Sequence, residues 1–113
     1  MEKMNQSVIY IGLNDSVTHE QKFETEKYIS ILKNVCMSYH VAFSVNKVSG
    51  GYFHEDGSYV EENTLELTLL GQTPKMIREI ATDLCTFFHQ ESVMVTSSEA
   101  EVYFVQDQLL KKE

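Results

Sequence analysis

The sequence predicts a single α+β domain in the order β-α-β-β-α-β. Three observations carry that reading. Two segments space their apolar residues three and four apart, the period of a helix with one buried face. The segments around them are β-branched or alternate apolar with polar, the period of strands. An Asp56-Gly57 dipeptide stands between the two central alternating segments, where an antiparallel hairpin needs positive φ angles.

Ser7 to Leu13 (SVIYIGL) is almost wholly apolar, which suits a strand buried on both faces, and Asn14-Asp15-Ser16 ends it with turn formers. Tyr28, Ile31, Leu32, Val35 and Tyr39 then mark the first helix, for which either Thr18 with Gln21 or Thr25 alone could supply the cap. Val41, Phe43 and Val45 alternate with polar or small residues, as do Leu65, Leu67 and Leu69. A two-residue Asp56-Gly57 loop would put Val45 opposite Thr68, on the wrong face. One extra residue, expected as a bulge at Gly50-Gly51, restores Val45 opposite Leu67 and Phe43 opposite Leu69. Thr73-Pro74 opens the second helix, with threonine as N-cap and proline at the first helical position. Its stripe is Ile77, Ile80, Ala81, Leu84, Phe87 and Phe88, and His89-Gln90-Glu91 ends it. Val93 and Val95 begin the last strand, which either runs on through Val102–Val105 or is split at Thr96–Ala100, and Gln108–Glu113 is a short helical turn or frayed. This is the split βαβ pattern, a ferredoxin-like sandwich with an antiparallel sheet and two helices on one face. The other face could be covered by a second copy of the chain, which makes a homodimer one hypothesis for the assembly.

A chain of 113 residues, 42% apolar and with six tyrosines and six phenylalanines, is the size and composition of one folded domain spanning residues 1–113. No apolar stretch approaches the roughly 20 residues that span a bilayer, and Met1 to Gln6 lack the apolar core of a secretory signal, so a cytoplasmic setting is expected. The net charge of −8 is unevenly spread. Residues 1–47 balance, whereas between Val48 and Leu110 the only bases are Lys75 and Arg78. Direct contact with nucleic acid needs lysines and arginines to replace phosphate counterions, so it is not expected; the acidic balance suits solubility or a partner with a basic surface.

The residues that carry chemistry elsewhere do not assemble into motifs here. His19-Glu20 and His54-Glu55 begin as zinc-protease helices would, but no second histidine follows at the required spacing. His40 and His89 end helices. Cys36 and Cys85 lie in helical segments, belong to no paired-cysteine motif and read as core thiols. No cofactor motif and no catalytic constellation is present, so the leading expectation is a non-enzymatic binding protein. The distinctive segment is Gly50 to Asn63 (GGYFHEDGSYVEEN), which has no base. Tyr52, Phe53, His54, Glu55, Asp56, Tyr59, Glu61 and Glu62 are its candidate partner-binding residues, on a projecting hairpin arm. The alternative is a small-molecule-binding or enzymatic dimer, in which Tyr10, Tyr52, His54 and Tyr59 line a pocket and His54 moves a proton.

Tyr10-Ile-Gly-Leu13, then Gly51-Tyr-x-His-Glu-Asp-Gly-x-Tyr59 with Glu62-Asn63, then Gln90-Glu-Ser-Val93 resemble a family of small bacterial, phage and mobile-element proteins of unknown function. The resemblance brings no catalytic residues. It implies a ferredoxin-like sheet and an accessory or counter-defence role, such as an anti-CRISPR-like inhibitor whose acidic surface occupies the basic groove of a nuclease.

Overall fold

A computed structural model of the chain describes residues 2–111. The elements are β1 (Glu2–Gly12), α1 (Thr25–Ser38), β2 (Ser44–Phe53), β3 (Tyr59–Leu70), α2 (Pro74–Phe87), β4 (Met94–Val102) and a terminal turn of helix, α3 (Gln108–Lys111). The four strands form one antiparallel sheet in the order β2-β3-β1-β4 with both helices on one face, the expected ferredoxin-like arrangement. No helix among the described residues is long and apolar enough to cross a membrane.

Alternation decides which face the helices cover. Ser7, Ile9 and Ile11 of β1 and Leu65, Leu67 and Leu69 of β3 are buried, while Val8, Tyr10, Thr64, Glu66 and Thr68 between them are half-buried on the open face. β1 is therefore covered on one side, not both. Tyr28, Leu32, Val35 and Cys36 of α1 and Ile77, Ile80, Ala81 and Leu84 of α2 close the core. Burial pushes the Cys36 thiol up to about 11.

Several expectations need correction. Val45 does pair with Leu67, but no bulge produces it: the ladder runs unbroken from Ser44↔Thr68 to Phe53↔Tyr59, through both glycines. The extra residue sits in the turn. The His54 N–H donates to the Ser58 carbonyl at 2.9 Å, so Glu55, Asp56 and Gly57 form a three-residue loop with Gly57 at φ 88°. Gly51 has a different use, since a Cβ there would collide with the Tyr59 phenol. Neither Thr18 nor Thr25 caps α1; Glu24 holds the N-cap position without a side-chain bond. Thr73 does cap α2, its hydroxyl accepting from the Met76 N–H at 3.1 Å. Phe87 is 58% exposed, on the outer flank of α1 near Ile31 and Val35, whereas Phe88 packs inward on Tyr28 and closes the stripe.

The last strand is continuous. Thr96–Ala100 stay paired with β1, and their polarity is tolerated because β4 is a sheet edge. Only Val102 of the expected VYFV segment belongs to it. The strand β1 in turn begins at Glu2, well before Ser7, because Glu2–Gln6 pair with Val102–Ser98.

Candidate functional site

β3 outruns its neighbour on one side. β1 pairs with Thr64–Leu70, and β2 alone pairs with Tyr59–Asn63, so the hairpin stands out from the body as an arm. The molecule measures 61 Å along its longest axis against 26 and 25 Å across.

Where the arm leaves the body there is a cleft of about 370 Å³. Tyr52, His54, Val60 and Glu62 form its arm side. All are even-numbered, in phase with Thr64 and Glu66, so the cleft opens on the face away from the helices. The other walls come from two loops. Asn14, Asp15, Ser16 and His19 follow β1, and Gln90, Glu91 and Ser92 join α2 to β4.

The floor is the Asn14 backbone, held at both its N–H and its carbonyl. Its N–H donates to Glu62 Oε2 at 3.0 Å, and its carbonyl accepts from Gln90 Nε2 at 2.6 Å. Glu62 can reach it only because residue 12 is glycine, since any Cβ there would occupy the space of the carboxylate. Gln90 is seated in turn by its backbone, whose N–H donates to the Cys85 carbonyl and whose carbonyl accepts from Cys85 Sγ at 3.0 Å.

Asp15 organises the loop beside the floor. It is 3% exposed and accepts the N–H groups of Val17 at 2.8 Å and Thr18 at 3.1 Å, with Lys22 and His89 each 3.3 Å away. The Val17 and Thr18 donors, aided by Lys22, hold its carboxyl down at about 2. The same loop sets His19 in the left-handed region at φ 60°, its N–H bonded to the Asp15 carbonyl at 2.8 Å. That conformation brings the His19 ring edge-on to His54, centroids 6.4 Å apart, and Tyr52 meets His54 at 5.4 Å. One wall is thus an aromatic row of Tyr52, His54 and His19 beside the Glu62 carboxylate. No lysine or arginine lines the cleft.

The eight sequence-derived candidates separate. Tyr52, His54 and Glu62 meet in the cleft. Phe53 and Tyr59 stack at 5.2 Å on the opposite face of the arm, 71% and 56% exposed. Glu55 and Asp56 are at the tip, where Ser58 donates to Asp56 and lowers its pKa, and Glu61 pairs with Gly51. Tyr10 and Tyr59, expected in a pocket with Tyr52 and His54, do not line it. Asn14, Asp15, His19 and Gln90 were missed as site residues. The usable signal was the resemblance pattern itself, whose Gly12, Glu62 and Gln90 converge on Asn14.

Among the described residues no group of three or more His, Cys, Asp or Glu is placed to hold a metal ion. No protein-family model matches the chain, and no curated protein matches it. Solved structures do share its fold. A phage SAM lyase in complex with S-methyl-5'-thioadenosine superposes with a TM-score of 0.68 at 21% identity, over 85% of this chain and 81% of that one. A phage SAM lyase in the apo state gives 0.63 at 19%, over 92% and 90%. The divalent ion tolerance protein CutA1 from Ehrlichia chaffeensis is more distant, at 0.49 and 9%, over 94% and 89%.

Proposed function

We propose that the cleft binds a small cationic nucleoside of the sulfonium class, S-adenosylmethionine or a close analogue, and acts on it as a lyase. The observation that carries this reading is the lining: carboxylates and an aromatic row, with no lysine or arginine among the lining residues. A sulfonium is attracted both by Glu62 and by the face of Tyr52, and an adenine ring stacks against flat side chains such as Tyr52 and His54. The likeness to a phage SAM lyase holding S-methyl-5'-thioadenosine supports the choice of ligand class. In such a cleavage the breaking C–S bond leaves its electron pair on sulfur, so the cation becomes a neutral thioether. The carbon fragment is balanced by losing a proton from the adjacent carbon as a C=C bond forms. Glu62 holds the substrate charge, and His54 or His19 is in place to accept that proton.

Titration calorimetry with S-adenosylmethionine and with S-methyl-5'-thioadenosine tests binding, and chromatography of the reaction mixture tests cleavage. Binding of both, with S-methyl-5'-thioadenosine released over time and binding lost in Glu62→Gln, is the expected result. A cleft that binds neither compound ends the reading.

A second reading rests on the opposite face of the arm. The exposed Phe53–Tyr59 pair, with Glu55, Asp56 and Glu61 around it and no base from Gly50 to Asn63, is a surface that a basic protein groove would accept, in keeping with a counter-defence inhibitor of a nuclease. Salt-dependent capture of CRISPR effectors, lost when the three acids become lysines, tests it. Both readings place the chain in the cytoplasm. Because the cleft opens on the uncovered sheet face, a second copy seated there would border it, and the oligomeric state in sedimentation decides that point.

A further inference from the structure

A second apolar hollow lies on the other side of the molecule, between α2 and the edge strand β4. It has a volume of about 450 Å³, and its apolar walls are Pro74, Ile77, Ala81, Cys85, Val93 and Val95. Beyond the end of the same strand runs an apolar segment that nothing among the described residues covers. Tyr103, Phe104 and Val105 are 68%, 81% and 87% exposed, and Leu109 is exposed as well. Arg78 also lines the hollow and makes no ion pair among the described residues. The free edge of β4 (MVTSSEAEV) carries no proline and no lysine, and its only charges are Glu99 and Glu101.

We propose that two copies join their β4 edges antiparallel about Ser98 and that each sends its C-terminal segment into the other's hollow. The register follows from side-chain phase. Val95 pairs with Ile9 and Ser97 with Ser7, both buried, so odd-numbered residues of β4 face the helices. Antiparallel pairing about residue 98 sets Tyr103 of one copy beside Val93 of the other, on that same side, at the mouth of the hollow. It also sets Glu101 beside Val95, next to the unpaired Arg78. Glu99 falls opposite Ser97, so no two carboxylates meet directly across the new pair, and Glu99 is already paired with Lys3 at 3.5 Å. The apolar tail gains cover, the arginine gains a carboxylate, and an open ladder gains a partner strand.

Charge exchange tests the register. Glu101→Arg and Arg78→Glu singly should each weaken self-association in sedimentation by about tenfold or more, and the double exchange should restore it. Cross-linking tests the tail. Tyr103→Cys should form a disulfide with the natural Cys85 of the other copy, giving a species of twice the mass on non-reducing gels that disappears in Cys85→Ser. A chain that sediments as a monomer at every concentration overturns the proposal. So does a disulfide closed within one chain, or single exchanges that leave the dimer intact. Circular dichroism of each exposed-site variant, unchanged from the parent, confirms that folding is not what was lost.

Discussion

The two ends of β3 show what separates scaffold from site in this protein. From Leu65 to Leu69 the strand alternates between a sealed face under two helices and a half-buried one, flanked by strands on both sides. From Tyr59 to Asn63 the same strand has one neighbour and no helix, and its side chains serve two exposed surfaces. Burial constrains the first stretch to apolar residues of set volume. The second is freed from that demand, and Glu62 and Tyr59 are spent on a cleft and a surface.

Substitutions should break along that line. Leu67→Ala, at a fully buried position, is expected to cost about 2–5 kcal/mol in urea unfolding, the range of any large side chain in this core. Next comes the hinge between the halves. Gly12→Ala should evict the Glu62 carboxylate from Asn14 and lower ligand affinity by about tenfold or more, read by calorimetry. If Glu62→Ala in the same chain relieves the stability loss without restoring binding, the collision is the cause.

Asp15 gives a pH signature. Its folded-state carboxyl, held at about 2, lies below its ordinary 3.8, so it contributes stability that is fully present above about pH 4 and is lost as pH falls through about 2. Denaturant midpoints measured from pH 5 to pH 2 should fall less steeply in Asp15→Asn than in the parent. Thr73→Ala, which removes the α2 cap, should cost about 1 kcal/mol. The smallest effect belongs to the arm: Phe53→Ser should change stability by about 0.5 kcal/mol or less, while weakening any partner held on that face. A large loss of stability there would show that the arm packs as part of the core.

Element order, most of each helix stripe and the Thr73-Pro74 start were legible in the sequence, because each is encoded by residues a few positions apart. So was the pairing of Val45 with Leu67, which followed from matching the alternation of two strands across a hairpin. Where the extra residue of the hairpin went was not. A glycine pair and an Asp-Gly turn can each absorb it, and the closing bond between His54 and Ser58 decides between them. Phe87 and Phe88 look equivalent in a helical stripe and differ because Phe88 packs inward on Tyr28 of α1 while Phe87 rests on that helix's outer flank.

Sequence alone determined a β-α-β-β-α-β chain with an acidic, base-free hairpin, since periodicity and charge are properties of neighbours along the chain. The tertiary structure alone decided that Gly12, Glu62 and Gln90 converge on the Asn14 backbone, and that His19 meets His54. Those residues come from separate loops and strands, and only the closing of the sheet brings them within hydrogen-bonding or stacking distance.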